Sequence, residues 1–462
     1  MTNTTAHRSR LSFFVVIIAI ITALSGILFG FDTAVISGAM LYVTPHFHLS
    51  HTNASVLVTS VLIGAFFGSL LSGWFADRYG RRHLLIITAL IFLFSSVLSA
   101  LAWSYTSLLV GRFFVGIAVG VASFTAPLYI SEVAPVNYRG VLVSLNQLAI
   151  TIGIMLAYAV DFYFSEQQLW RAMFAAGVVP AFLMLMGMCF LPRSPRWLLL
   201  KNQPEKARRV LQKIRATTFV DDELHAVSTD PSSESASVLL RSRWLLPIVL
   251  VALGLAFLQQ FTGINVLIYY APVLLQHAGF FDTGHALSVA VLIGCANVLF
   301  TIMALPLVDR WGRRPLLLSG LLGMIVGLFL MVLADYYMQH SVYEKWMTLT
   351  GMLLYIGAFA MSLGPIMWLV IAEIFPLSVR GVGSSFVIAC SWIFNGLVVF
   401  SFSFLFRVLG FSGTFLLYGS IAIIGVLFVY FHVPETKGVS LETIEKNIRA
   451  RVKTRDIGQQ IH

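Results

Sequence analysis

Long apolar stretches broken by short polar islands run through nearly all of the 462-residue chain. Twelve stretches are long enough to cross about 30 Å of hydrocarbon as helices. They cover roughly 12–36, 54–76, 83–103, 107–130, 141–162, 171–191, 245–275, 285–308, 315–336, 347–372, 382–406 and 413–432. A large soluble helical core is the alternative, but no soluble fold conceals twelve such segments. The pattern predicts an all-α integral membrane protein. The first span is too long for the apolar region of a cleavable signal peptide, and a second span soon follows it.

The polar islands repeat. Asp77-Arg78-Tyr79-Gly80-Arg81-Arg82 returns as Asp309-Arg310-Trp311-Gly312-Arg313-Arg314, 232 positions later. Glu132 precedes Arg139-Gly140 by seven residues, and Glu373 precedes Arg380-Gly381 by the same seven. Two matching halves predict two similar six-helix bundles, an arrangement in which a substrate site commonly lies between the repeats. The expected division is an N-terminal bundle over 1–192, a helical linker over 193–243, a C-terminal bundle over 244–434 and a tail over 435–462. Within the linker, Pro204 to Ile214 has the spacing of an amphipathic surface helix, as does Leu441 to Val452 in the tail, and Ser228 to Ser237 reads as a flexible connection.

Composition and charge sharpen this. The chain is 58% hydrophobic and 11% charged, with net charge +10, against about 25% charged residues in ordinary soluble domains. With the termini and even-numbered connections on one side, 26 of the 30 Lys and Arg residues fall there. Arg171, Lys345 and Arg407 fall opposite, and Arg112 lies inside a span. The positive-inside rule then places both termini in the cytoplasm of a multi-pass cell (inner) membrane protein. The charge reports topology, so no nucleic-acid partner is expected. Cys189, Cys295 and Cys390 lie within apolar segments without paired spacing, so neither a disulfide nor a metal framework is expected.

The paired D-R-x-G-R-R loops are joined by Pro127-Leu128-Tyr129-Ile130-Ser131-Glu132, Pro192-Arg193-Ser194-Pro195-Arg196-Trp197, Gln259-Gln260-Phe261-Thr262-Gly263-Ile264-Asn265 and Pro434-Glu435-Thr436-Lys437-Gly438. Together these resemble the sugar porters of the major facilitator superfamily over nearly the whole chain. That family includes bacterial proton-coupled xylose, galactose and arabinose symporters and animal glucose uniporters. The resemblance implies the major facilitator fold, a central monosaccharide site and alternating access in a monomer embedded in a lipid bilayer. No nucleophile, metal cluster or phosphate loop stands out in the chain, so neither enzyme activity nor a cofactor is expected. Two departures stand out. Arg193 replaces the family's usual glutamate, and Ile154 stands where the xylose symporters have a further glutamine.

A monosaccharide offers many hydroxyls and no charge, which amides can meet as donor and acceptor at once. By resemblance, Gln147, Gln259, Gln260, Asn265, Asn297 and Trp368 contact sugar, while Phe29, Phe359, Tyr270, Trp392 and Asn395 line or close the cavity. Glu132 and Glu373 each end a span where the helix dipole disfavours an anion. Arg139, Arg81, Arg380 and Arg313 are the expected partners in a cytoplasmic gate. Asp32 and Arg112, ionisable residues inside apolar spans, are expected to pair, and they resemble the proton-coupling pair of the symporters, which implies that they couple a proton. Arginine stays protonated, so only the carboxylate can switch. These features predict a proton-coupled symporter importing a hexose or pentose, with glucose, galactose, xylose and arabinose undistinguished. A facilitative uniporter and a transporter-like sugar sensor are the alternatives. The sensor would need a longer signalling tail than the one following Glu435.

Overall fold

The computed structural model describes residues 12–135, 138–215, 217, 244–338, 341–376, 379–439, 441–450 and 452–459. The side chain of Arg139, the early basic residues Arg8 and Arg10, and the expected connection from Ser228 to Ser237 lie outside that description.

The first half contains α1 (Phe13–His46), α2 (His51–Tyr79), α3 (Arg81–Ala100), α4 (Tyr105–Val133) and α5 (Arg139–Ser165). Its sixth span is the pair α6 (Trp170–Ala175) and α7 (Val178–Phe190). Short helices α8 (Pro195–Leu200) and α9 (Pro204–Arg215) follow, the second with Ala207, Leu211 and Ile214 buried on one face as the amphipathic pattern predicts. In the second half the seventh span is α10 (Leu246–Phe261), α11 (Ile264–Tyr269) and α12 (Ala271–His277). Next come α13 (Thr283–Trp311), α14 (Arg313–Tyr337), α15 (Val342–Met361), α16 (Leu363–Ile374), α17 (Arg380–His432) and α18 (Leu441–Arg449).

Several helices outrun the apolar segments that predict them. α1 continues to His46 and stops just beyond Pro45, since membrane thickness sets a lower bound on helix length and not an end point. The eleventh and twelfth spans run on as α17, 53 residues that would measure about 80 Å if straight, far more than one crossing requires. Gly410, at φ 71° and ψ −175°, turns the chain back between them. A side chain there would be strained, so glycine supplies the reversal.

Three helices that begin at the end opposite the basic loops, α2, α4 and α13, carry side-chain caps. Ser50 accepts from Asn53 N at 3.2 Å, Ser104 and Ser107 cap each other's backbone, and Asp282 accepts from His285 N at 2.8 Å. These bonds satisfy amides that a helix start leaves open. At the basic end α3, α5, α14 and α17 start without a cap from the residue preceding them.

The outer surface fits a bilayer. Leu70, Phe94, Leu183, Phe329 and Ile424 are exposed along the spans, as lipid-facing positions should be. Exposed Trp103, Tyr163, Tyr336 and Tyr343 gather near one set of helix ends, and Trp74, Tyr79, Trp311 and Tyr430 near the other. Such aromatic girdles mark the two membrane–water boundaries. Inside the first bundle α1 and α5 lie in backbone contact: a methyl at Gly30 would strike the carbonyl of Ile150. Small residues permit this closeness, and it holds the neighbouring Asp32 deep in the bundle.

Candidate functional site

Two spans of the second bundle break at mid-depth. The seventh breaks at Thr262-Gly263, where Gly263 takes φ +94°, and again at Tyr270. The tenth breaks at Ser362, between α15 and α16. Broken helices expose backbone dipoles where side chains alone would otherwise meet a substrate.

A chain of amides fills the space between the breaks. Asn265 Nδ2 donates to Gln260 Oε1 at 2.6 Å. Gln260 Nε2 donates to Gln259 Oε1 at 3.2 Å and to Ser391 Oγ at 2.9 Å. Gln259 Nε2 reaches the Leu363 carbonyl at 3.2 Å, tying the seventh span to the break in the tenth. Gln259 and Gln260 are buried, whereas Asn265 is half-buried at the chain's end. Phe359 and Trp368, flanking the Ser362 break, are also half-buried, as is Gln147 on α5 of the other bundle. Asn297 lies buried on α13. On α17, the Trp392 indole nitrogen and the Asn395 carbonyl oxygen are buried without a protein partner. Phe29 on α1 meets Trp392 across the bundles, ring centroids 5.4 Å apart. Buried polar groups without partners are uncommon and call for a ligand or water.

The charged pair lies in the first bundle. Arg112 on α4 is wholly buried and bonds Asp32 Oδ1 through Nη1, while its Nη2 donates to the Asp32 carbonyl at 3.2 Å. Its guanidinium stands 5.6 Å from the Phe174 ring centroid. Asp32 Oδ2 has no protein partner. Tyr269, buried at the end of α11, lies on a helix packed against α1 and within electrostatic reach of the Asp32–Arg112 pair. Thus α11 begins with the amide of Asn265 and ends near the charged pair. The apolar spacing around Tyr269 gives no hint of this placement.

Asp161 on α5 is a second buried carboxylate. Its Oδ2 accepts the Gly38 N–H at 3.0 Å and its Oδ1 has no partner. Being an acidic residue inside a span, it carries the same sequence signal as Asp32, without an arginine to point it out.

Side-chain bonds between the bundles occur in the half away from the basic loops. Tyr158 donates to the Ile268 carbonyl at 2.8 Å and Ser55 to Ser403 Oγ at 2.8 Å, while Tyr270 packs on Phe402 at 4.7 Å within the second bundle beside them. At the basic end the expected ion pairs form inside each bundle. Arg81 meets Glu132 at 2.9 Å and Asp77 at 3.1 Å, and Arg313 meets Glu373 at 2.8 Å. Arg380 donates to the Phe375 carbonyl at 3.2 Å. The Arg81–Glu132 and Arg313–Glu373 pairs each brace helices within one bundle, because each glutamate ends the helix next to the one its arginine begins.

The sugar (and other) transporter family model matches residues 18–448. The galactose-proton symporter of Escherichia coli K12 is 39% identical over 456 residues, 97% of each chain. The glucose transporter GlcP of Staphylococcus epidermidis is 37% identical over 95% of this chain and 98% of its own. The xylose transporter XylE from E. coli, in a partially occluded inward-open conformation, superposes with TM-score 0.81 at 33% identity, covering 93% of this chain and 100% of that one. Buried amides at two helix breaks, a buried acid–base pair and two repeated bundles thus agree with these matches: the chain belongs to the sugar transporter family, with the major facilitator fold, and is a membrane transporter and not an enzyme.

Proposed function

We propose that this protein is a proton–monosaccharide symporter that imports a hexose or pentose by alternating access. The observation that carries the reading is the placement of α11, whose first turn holds Asn265 in the amide chain and whose last residue, Tyr269, lies within electrostatic reach of Asp32 and Arg112. A proton on Asp32 weakens the pull of Arg112 on that carboxylate. α11 then feels a different surface at one end while the amides feel sugar at the other. Coupling needs this kind of differential interaction with the states of a cycle.

The sugar sits against Gln147, Gln259, Gln260, Asn265 and Asn297, with Trp368 under its C–H face. Phe29, Phe359, Tyr270, Trp392 and Asn395 line or close the cavity. The amide chain supports this reading, since it ends in a half-buried Asn265 beside unpartnered groups of α17. The basic loops and both termini face the cytoplasm, the working unit is a monomer, and the two bundles divide at the linker following residue 192. Glu132, Glu373 and their arginines stiffen the cytoplasmic ends, so that each bundle rocks as one body during opening. Relatives named for proton-coupled galactose and arabinose transport favour coupled import over facilitated diffusion.

The test is transport in proteoliposomes. An inward acid gradient should drive accumulation of radiolabelled sugar above its outside concentration, and a panel of unlabelled sugars should compete in an order that names the substrate. Equilibration without accumulation under a maintained gradient would make the protein a uniporter.

A further inference from the structure

A small cavity adjoins the Asp32 carboxylate within the first bundle. It measures about 10 Å³, and its wall includes Asp32, Ser96, Ser99, Val115, Phe174 and Gly177. About 10–15 Å³ is the least room that admits one water, which also needs two to four polar partners. Asp32 Oδ2 and Ser99 Oγ provide two, both buried and without a protein partner. Ser96, one turn before Ser99 on α3, supplies a third hydroxyl. Both serines lie near the end of α3 remote from Arg81, and Gly177 lies in the break between α6 and α7 at that same end of its span.

We propose that this cavity holds one water that relays protons between Asp32 and the face opposite the basic loops, through the interior of the first bundle and apart from the sugar's route. The inference rests on the symport reading and adds the proton's path to it. The water gives one proton to Asp32 Oδ2 and takes one back, through the Ser99 and Ser96 hydroxyls, from hydronium in the solvent at that face. The water is unchanged and the carboxylate is neutralised. Among the described residues, the charged or titratable groups acting on Asp32 are Arg112 from α4 and Tyr269 from α11. Arg112 holds its proton throughout and cannot relay one. Tyr269 stands on the side of the amide chain, where a relay would compete with sugar. α3 offers hydroxyls alone, which pass a proton without keeping a charge in an apolar bundle.

The experiment uses two variants of the full chain in proteoliposomes loaded with a pH-sensitive dye. Ser99→Ala removes a hydroxyl and preserves the cavity; Val115→Leu fills the cavity from another wall and leaves every hydroxyl in place. Each should slow sugar-driven proton uptake by about tenfold, a barrier rise of about 1.4 kcal/mol. Each should also leave sugar binding and sugar-for-sugar exchange within about twofold of the parent, since less than about 0.4 kcal/mol is then at stake. Parent-like proton uptake in both variants overturns the relay while sparing the symport reading. Equal slowing of exchange and proton uptake also overturns it, because the defect is then structural. A parent that moves no protons with sugar removes both the relay and the reading beneath it.

Discussion

At the basic end, α3 and α14 each start after a glycine with positive φ, Gly80 at 86° and Gly312 at 94°. Each first arginine folds back on the preceding helix, Arg81 to the Ala76 carbonyl at 3.2 Å and Arg313 to Val308 at 3.1 Å, and pairs with the glutamate ending a neighbouring helix. The copies then part. In the second, Glu435 accepts the backbone N–H groups of both Arg313 and Arg314 at 3.0 Å, a carboxylate set on a helix N-terminus. In the first, the matching place in P-R-S-P-R is Arg193, whose guanidinium lies 5.4 Å from the Trp197 ring. The interiors differ more deeply. The first bundle buries ionisable side chains, in Asp32, Arg112 and Asp161, while the second buries amides at two broken helices. The shared scaffold has been kept where both halves need stiff ends and has diverged where each half has separate chemistry.

The largest effect expected from breaking this division is on Asp32. Asp32→Asn keeps the shape of the protonated acid but carries no exchangeable proton, so accumulation driven by a pH gradient should fall to equilibration. Sugar binding by the amides of the second bundle should persist, and sugar-for-sugar exchange with it. Tracer flux under an imposed gradient reads the first and tracer exchange the second. Loss of binding together with accumulation would show that the two bundles do not divide the work.

The next effect lies in the other half. Gln260→Ala and Asn265→Ala should each weaken sugar binding by about 1–3 kcal/mol, or roughly 5- to 150-fold, because the partner is left unsatisfied. Trp368→Ala should weaken it through lost aromatic surface. Binding is measured by calorimetry or by quenching of intrinsic fluorescence. Proton release from Asp32 should survive in all three, and parent-like affinity in all three would displace the sugar cavity from this place.

Much of this contrast is legible in the chain because the membrane makes polar residues costly and therefore conspicuous. Twelve apolar runs, the doubled loops and the Asp32–Arg112 pair all follow from that cost. What the chain conceals depends on tertiary approach. Tyr269 looks like one more apolar position until α11 is seen against α1, and the apolar runs do not show that the reversal between the eleventh and twelfth spans turns on Gly410 alone. The partners of Arg81 and Arg313 are recognisable by residue type, but only the helix order places each pair inside a bundle. The cap by Glu435 is invisible for the same reason, lying 122 residues from the amide of Arg313 that it accepts.

A smaller effect separates the two ion pairs. Glu132 and Arg81 have side chains 3% and 6% exposed, whereas Glu373 and Arg313 are 24% and 11% exposed. Removing one member of a well-buried pair costs on the order of 3–5 kcal/mol, and a wetter pair is worth less. Asp77 softens the loss in the first copy by also pairing with Arg81. Glu132→Gln should still lower the melting temperature in detergent more than Glu373→Gln. The opposite order would mean that the bond from Thr436 to Glu373 carries more of the second copy than its exposure suggests.

The smallest expected change comes from Arg193→Glu, which gives the first copy the carboxylate that the second one has. The amides of Arg81 and Arg82 open α3 as those of Arg313 and Arg314 open α14, and Gly80 has no side chain with which to cap them. A glutamate at 193 can reach them only if the segment after α7 lies against α3 as the segment after α17 lies against α14. Arg82 supplies that proximity, since it already holds the Met188 carbonyl at 3.2 Å and the Cys189 carbonyl at 2.5 Å. An anion at a helix N-terminus is worth about 0.3–1 kcal/mol, and the lost stacking of Arg193 on Trp197 offsets part of it at about 0.5–1 kcal/mol for an exposed pair. The net shift in melting temperature should therefore be slight, and its salt dependence is the better reading. A new carboxylate–dipole contact weakens as ionic strength rises, so the stability difference between variant and parent should move towards destabilisation in high salt. A difference independent of salt would show that residue 193 does not reach the start of α3, and that the two copies differ in backbone path as well as in the residue at this position.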